Sequence, residues 1–308
     1  MSADSSAAPA AQLSAAQLAR RRRTAAWRRG WTQFRAHRSG MVGLCILTIF
    51  VVAALAAPLL ADRSGLDVTA ANGPVLGPPS SHYWLGTDEN GRSVLTLLIW
   101  GARVSLFVGL LATLISMVIG TLMGLVSGYF GGFIGAITFR VTEWFLVIPF
   151  LPLAIVLSTV LGRGLFNIVL VIGVTSWPGT ALLIRSQTLS IKERPYVERA
   201  QAIGAGRRHQ ITKHVLPNVM PMVFANTTLT VAIAILTETT LSFLGLGDPT
   251  RTSWGTMLDD AFQVGSITTG SWWYILPPGI CVVLVVLSFT LIGQALEEVL
   301  NPRLRARQ

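Results

Sequence analysis

The sequence predicts an all-α integral membrane protein with about six transmembrane helices. Of its 308 residues, 52% are hydrophobic and 12% are charged, whereas charged residues make up about 25% of a typical soluble domain. The mean hydropathy is +0.59. Several apolar segments reach the roughly 20 residues that a helix needs to cross a hydrocarbon core about 30 Å thick. These observations place the chain in a lipid bilayer.

Six apolar segments are long enough to span a membrane, and polar stretches rich in Gly, Pro and charged residues separate them. The predicted spans are 41–61, 103–127, 134–160, 166–184, 220–244 and 272–295. They form one six-span domain, residues 41–300, between a tail at 1–40 and a short basic tail at 301–308. Its two main polar regions are an outer loop at 62–100 and an inner loop at 185–218.

The distribution of basic residues predicts which side of the membrane each loop faces, because cytoplasmic segments retain Lys and Arg. All but five of the 24 Lys and Arg residues fall in the two tails, in the inner loop or near the start of the third span. The five on the other side are Arg63, Arg92, Arg103, Arg163 and Arg251. Both termini are therefore predicted to be cytoplasmic. Because these charges lie at helix ends, the net charge of +10 does not indicate a nucleic-acid partner.

Arginines alternate with aromatic residues in the tail between Arg20 and Arg38. Trp27, Trp31 and Phe34 are spaced to share one face of a helix. Such a basic amphipathic helix lies flat on the inner leaflet and contacts membrane lipid. The alternative is a basic tail that only enforces the topology.

Glycine recurs at every fourth residue near the end of the second span, at Gly120, Gly124, Gly128 and Gly132. A helix face without side chains lets another backbone approach closely. We therefore predict that this face packs against another helix rather than against a solute.

Two glutamates, Glu143 and Glu238, fall within apolar runs. An ionised side chain there costs roughly 2.5–3.5 kcal/mol on insertion scales, so each should face the bundle interior or water. Arg140 precedes Glu143 by one helical turn and is placed to pair with it. For Glu238, a position lining the transport pathway and a buried hydrogen bond to Thr237, Thr239 or a neighbouring helix both remain open.

The sequence carries no recognisable catalytic or cofactor-binding motif. A phosphate-binding loop needs a lysine after a glycine, whereas the two lysines, Lys192 and Lys213, follow Ile191 and Thr212. The His-Glu-x-x-His and Gly-x-Ser-x-Gly patterns are also absent from the sequence. The chain is therefore expected to be non-catalytic, with no metal or cofactor of its own.

The inner loop has the residue types of two short helices. Pro195 suits a helix start, and Gly204 or Gly206 suits a left-handed stop a few turns later. Between them, small residues such as Ala200 make a compact knob that a groove of another protein could receive. The second, basic piece is predicted to end at Leu216-Pro217. An amphipathic connector resting on the membrane is the alternative.

This loop resembles the coupling motif of bacterial ABC importer permeases, the segment that docks into the ATPase subunit. The matching residues are Glu198, Ala200, Gly204, Leu216 and Pro217. Two positions depart from the pattern, because Arg199 replaces the usual first Ala and His214 the usual Ile. The resemblance assigns ATPase coupling to Glu198, Arg199, Ala200, Gly204, Leu216 and Pro217.

Further segments are similar to the C-type permeases of dipeptide and oligopeptide transporters. They are Phe34–Arg38, Leu85–Arg92, Gly101–Leu106, Leu241–Gly247 and Trp254-Gly255.

The resemblance implies a type I ABC importer permease fold in the bacterial inner membrane. It also implies a complex with a second homologous permease, two ATPases that bind ATP and Mg²⁺, and an extracytoplasmic substrate-binding protein. Related systems carry peptides, nickel or haem. An ion-coupled secondary transporter using Glu143 and Glu238, or a membrane scaffold, are the alternatives from other classes.

The distribution of basic residues generates a topological prediction. Reporter fusions that are active only outside the cytoplasm should give signal at Gly77 and Arg251 and none at Gly206 or Gln308. An active fusion at Gly206 would overturn both the orientation and the coupling role of the inner loop.

Overall fold

Long apolar segments become helices in a membrane because a helix satisfies its backbone hydrogen bonds internally. The structure, a computed structural model, describes residue 25 and residues 28–300. These residues form an all-helical bundle. Among them, the pairing of extended residues is limited to an isolated bridge between Thr87 and Ser93.

The helices follow one another with short connections. The first, α1, covers residues 28–36. The helices after it are α2 (Arg38–Leu55), α3 (Ala57–Leu60), α4 (Val94–Tyr129), α5 (Gly132–Val147), α6 (Phe150–Leu161), α7 (Leu165–Thr175), α8 (Trp177–Lys192), α9 (Pro195–Ala202), α10 (Arg207–Gln210), α11 (Leu216–Leu241), α12 (Trp254–Gln263) and α13 (Trp272–Leu300). Short 3₁₀ segments at Arg63–Leu66 and Val68–Ala70 lie in the outer loop, and π-helical turns at Ile211–Val215 and Ser242–Leu246 flank α11.

Five helical segments of the described chain are long and apolar enough to cross a membrane. They are α2, α4, the α7–α8 pair, the segment from Arg207 to Leu246, and α13. The α5–α6 pair makes a sixth if its two arms are counted as one span. The predicted all-α architecture with about six spans is therefore confirmed.

The third span differs from the straight helix expected at 134–160, because α5 and α6 meet at 90°. The break lies at Pro149, which caps α6. A proline disfavours helical backbone at the residue before it, and Ile148 is accordingly extended, with ψ of 124°. Hydropathy alone does not register this change of direction.

Several helices extend beyond the apolar segments that identified them. Helix α4 begins at Val94, inside the predicted outer loop, and α8 continues to Lys192, inside the predicted inner loop. Polarity marks the membrane boundary rather than the end of a helix.

The stretch at 245–271, between the last two predicted spans, was expected to be a loop. It contains the helix α12, which begins with a reciprocal capping box between Ser253 and Thr256.

Helix α4 is the centre of the bundle and packs against α2, α5, α7, α8 and α11. Its closest neighbour is α8, which lies along the glycine face. A Cβ atom added at Gly120, Gly124 or Gly128 would come within 2.9 Å of α8 atoms. Gly132 does not extend this face, because α4 ends at Tyr129 and Gly132 begins α5.

The amino-terminal helix packs against the carboxyl end of α13. Phe34 is buried beside Ile292 and Ala295, and His37 Nδ1 lies 3.2 Å from Glu298 Oε2. Trp31 stacks on Phe34 but is 44% exposed, so these two aromatic residues do not share one environment. Trp27, the third aromatic residue predicted on this helical face, lies outside the described residues. Both ends of the described chain are thus at the same side of the bundle, as an even number of spans requires.

The glycine face generates a prediction about packing. Gly124→Ala should destabilise the protein by about 1–3 kcal/mol, as overpacking does elsewhere, because the new Cβ would lie 2.7 Å from Ile184 Cβ and from the Ala181 carbonyl oxygen. Thermal unfolding of the purified protein measures the change. Gly179→Ala, in α8, is the matched control because its added Cβ meets nothing within 4 Å. Equal stability of the two variants would contradict the packing argument.

Candidate coupling site

The segment between α8 and α11 is a short helix, a glycine turn and a second short helix. Pro195 occupies the first turn of α9, where its missing N–H costs no hydrogen bond. The helix ends at Ala202, and Gly204, two residues later, has a left-handed φ of +87°. The Gly204 N–H donates to the Gln201 carbonyl and the Ala205 N–H donates to the Ala200 carbonyl, at 3.0 and 2.9 Å. The chain therefore reverses sharply after two turns of helix.

One side of α9 is buried against the inner end of the bundle. Val197 and Ala200 are 2% and 5% exposed. Val197 belongs to an apolar cluster contributed by α4, α8 and α11, whose other buried members are Met117, Leu125, Tyr129, Ile184, Ile191, Val215, Val219 and Val223. The small side chain of Ala200 therefore faces the protein's own interior. It is not part of the exposed surface of α9.

Polar contacts also fix the loop to the end of α4. The Tyr129 hydroxyl donates to Gln210 Oε1 at 2.8 Å, and Gln210 Nε2 donates to the Ala205 carbonyl at 2.7 Å. Lys192 Nζ donates to the Tyr129 carbonyl at 3.0 Å. Gln210 is buried, so these bonds satisfy groups that would otherwise be costly to leave unpaired. The turn after α9 is thus tied to a transmembrane helix.

The opposite side of α9 is open and carries a large apolar residue at its tip. Ile203 is 86% exposed, and Tyr196 is 43% exposed. Glu198 and Arg199 are also exposed on this side. Sequence reasoning did not single out Ile203. Its position immediately before the left-handed Gly204 was the available signal, since the residue before such a reversal is at the apex.

The basic piece does not end at Leu216-Pro217 as expected. Helix α10 continues through the π-helical turn at Ile211–Val215 into α11, and both Val215 and Leu216 have helical backbone. Pro217 has no N–H, and its ring crowds the carbonyl of the residue four positions earlier. The wider turn that precedes it accommodates the ring. The loop and the fifth span therefore form one continuous helical segment from Arg207 to Leu246.

The two glutamates of the apolar runs lie in different environments. Arg140 Nη1 lies 2.8 Å from Glu143 Oε2, and both side chains are at least one-third exposed. Glu238 is 1% exposed in the bundle interior and accepts hydrogen bonds from two serine hydroxyls, Ser105 and Ser242.

Among the residues that the structure describes, no group of three or more His, Cys, Asp or Glu side chains is arranged to hold a metal ion.

An open cavity of about 1520 Å³ lies on the side of the bundle that carries the predicted outer loop. Part of it is formed by the outer loop, where Asp88 is fully buried and binds the Arg92 backbone N–H and Nε at 2.7 and 2.6 Å. The five arginines that are predicted to lie on the outer side all line this cavity, namely Arg63, Arg92, Arg103, Arg163 and Arg251. Carboxylates line it as well, at Asp62, Asp67, Glu89, Asp248, Asp259 and Asp260. The cavity is therefore polar and carries both signs of charge.

Two family models match the chain. Residues 116–306 match the binding-protein-dependent transport system inner membrane component, and residues 26–79 match the N-terminal transmembrane domain of oligopeptide transport permease C. The chain belongs to the family of binding-protein-dependent transport system inner membrane components. It is accordingly a multi-pass inner-membrane permease of the ABC importer class.

Similar proteins are known from several bacteria. The dipeptide transport system permease protein DppC of Bacillus subtilis is 37% identical over 276 residues, covering 89% of this chain and 85% of the relative. The oligopeptide transport system permease protein OppC of the same organism is 34% identical, covering 91% and 90%. The DppC protein of Alkalihalophilus pseudofirmus is 35% identical, covering 91% of each chain.

The outer cavity generates a prediction of pH dependence. Burial raises the pKa of Asp260 from 3.8 to about 6, and repulsion from the nearby Glu89 carboxylate is the second contribution to this increase. Ionising Asp260 therefore opposes the folded arrangement, and the stability should fall as the pH rises from about 4 to about 6. Thermal unfolding at pH 5 and at pH 7.5 measures this loss. Asp260→Asn should remove part of the difference.

Asp67→Asn is the control for this experiment. Hydrogen bonds from Thr69 lower the pKa of the exposed Asp67 carboxyl. This group therefore stays ionised between pH 5 and pH 7.5 in both states, and Asp67→Asn should leave the difference between the two pH values unchanged. An unchanged pH dependence in Asp260→Asn would show that Asp260 does not titrate in this range.

Proposed function

We propose that the chain is a transmembrane permease subunit of an ATP-driven importer for dipeptides or oligopeptides. It forms half of the translocation pathway with a second, homologous permease. An extracytoplasmic binding protein delivers the solute, and two ATPase subunits that bind ATP and Mg²⁺ drive the cycle. The chain itself contributes no catalysis.

The observation that carries this proposal is the shape of the segment between α8 and α11, residues 193–215, which we call the coupling loop. Helix α9 is anchored on one side by Val197 and Ala200, while Ile203 projects from its tip. The loop continues without a break into the fifth span. A force applied at the exposed tip would therefore act on a transmembrane helix. This arrangement suits a docking knob better than a connector lying passively on the membrane.

The proposed mechanism is a shift between two populations. The ATPases must bind ATP more tightly in their closed arrangement for the nucleotide to move the spans. Closure would displace the coupling loops of both permeases and reorient the pathway from inward-facing to outward-facing. ATP hydrolysis would return the pathway to its inward-facing orientation. This mechanism requires a cytoplasmic coupling loop and hence cytoplasmic termini.

The names of the relatives favour peptides over nickel or haem as the solute. An outer cavity lined by both Arg and Asp side chains is compatible with a zwitterionic solute. No specific observation favours an ion-coupled transporter, since Glu143 pairs with Arg140 and Glu238 is bonded to serines. ATP-driven peptide import is therefore the function that the geometry supports best.

The proposal predicts that Ile203 is essential for coupling. Ile203→Asp removes an exposed apolar side chain and places a charge where a partner would have to desolvate it. Peptide uptake and binding-protein-stimulated ATP hydrolysis should both fall at least about tenfold, which corresponds to about 1.4 kcal/mol of lost docking energy. The measurement uses the purified complex in vesicles, with co-purification of the ATPases as a second readout.

Val75→Asp is the matched control, because Val75 is also an exposed aliphatic residue, at 68%, but lies in the outer loop. It should leave ATPase co-purification unchanged. If an assembled Ile203→Asp complex transports at the normal rate, the coupling role of this tip is wrong.

A further inference from the structure

We propose that Glu238 is a positioning residue that fastens the outer end of α11 to both α4 and α12. Through this connection, movement imposed at the coupling loop reaches the outer mouth of the permease. The inference rests on the proposed function, because it assigns a route to the force that the ATPases would supply.

The carboxyl group of Glu238 joins two helical segments in the bundle interior. Its Oε2 atom accepts a hydrogen bond from Ser105 Oγ of α4 at 3.0 Å. Its Oε1 atom accepts one from Ser242 Oγ, in the π-helical turn that follows α11, at 2.9 Å. Glu238 is 1% exposed, and both serines are equally well buried. Water therefore does not compete for these bonds.

The connection extends from Ser105 to the start of α12. Ser105 Oγ accepts a hydrogen bond from the Trp254 backbone N–H at 3.3 Å. A hydroxyl has one proton to donate, and Ser105 gives it to Glu238. The Trp254 ring reinforces the contact, because its Nε1–H donates to the Leu98 carbonyl of α4 at 3.1 Å. A directional chain thus runs from α12 through α4 to α11.

The backbones of α11 and α12 also meet at this point. A Cβ added at Gly255 would lie 2.6 Å from Ser242 Cβ and 2.8 Å from the Thr239 carbonyl oxygen. The close approach and the hydrogen bonds therefore coincide in space. Apolar side chains complete the enclosure, since Ile235, Leu241 and Trp254 are fully buried.

The position of Glu238 along α11 suits the transmission of movement. Leu216, at the inner end, follows the coupling loop directly, and at 1.5 Å per residue Glu238 lies about 33 Å away along the helix. Ser242 lines the outer cavity, as do Thr256 and Asp259 of α12. The carboxyl group therefore lies where the span that begins at the loop meets the mouth that must open.

The route can be tested with a reporter at the outer mouth of the assembled transporter. The two cysteines, Cys45 and Cys281, are replaced by Ala, and Asp259→Cys supplies a single reactive thiol. A membrane-impermeant maleimide labels it in vesicles without nucleotide and after trapping with ATP and vanadate. In this background, the labelling rate should differ at least about threefold between the two states.

Glu238→Ala should reduce that difference to less than about 1.3-fold and lower peptide uptake per ATP hydrolysed at least about tenfold. Glu238→Gln should restore most of both, because an amide can accept from one serine and donate to the other. Thr237→Ala is the matched control, since that buried hydroxyl bonds only to the Ile233 carbonyl of its own helix at 2.8 Å. It should behave like the parent.

Three outcomes would overturn the inference. One is an unchanged labelling difference and uptake ratio in assembled Glu238→Ala, and another is a parallel loss of uptake and ATP hydrolysis, which marks a merely structural role. The third applies if Glu238→Ala does not assemble: it is an unchanged labelling difference in assembled Ser105→Ala, which removes the links to α4 and Trp254 and leaves the bond to Ser242. No nucleotide-dependent change in the parent would instead overturn the proposed function itself.

Discussion

The close approach of α4 and α8 is the constraint on which the rest of the bundle depends. Lipid chains are as apolar as leucine, so hydrophobic burial alone does not hold transmembrane helices together. Close approach of the helix backbones must supply the packing instead. Gly120, Gly124 and Gly128 allow this approach over about two turns of α4. Because α2, α5, α7 and α11 also pack on α4, the position of this helix sets the positions of the others.

Helix α4 consequently contacts both ends of the helical segment from Arg207 to Leu246. At its inner end, Tyr129 binds Gln210 of the coupling loop, and at its outer end Ser105 binds Glu238. Between these points the Gly109 backbone lies directly against Ile235 of α11. Helix α4 and the continuous helical segment from Arg207 to Leu246 are therefore in contact at three levels. Under the proposed function, displacing the loop would move the two helical segments together as a rigid body.

Hydropathy predicted the number of spans and the all-helical class, because both depend on the length of apolar runs. Hydropathy did not predict where a helix changes direction within an apolar run. The 90° bend at Pro149 falls inside a continuous apolar segment, and its proline was the local signal. Helix α12 was missed for the opposite reason. It is short and amphipathic, so it lacks the apolar length that identifies a span, although the capping residues Ser253 and Thr256 preceded a helical pattern.

The coupling loop shows most clearly what a motif can and cannot specify. Sequence reasoning placed small Ala200 at the docking surface, whereas its side chain is buried in the chain's own interior. A small residue is required there because α9 must lie close to the inner end of the bundle. Gly204 then turns the chain through a left-handed conformation, which leaves Ile203 at the apex. The residues that make the loop recognisable thus set its shape. The position of Ile203 before Gly204 can be read from the sequence, but its 86% exposure depends on how α9 packs against the bundle, which the sequence alone does not reveal.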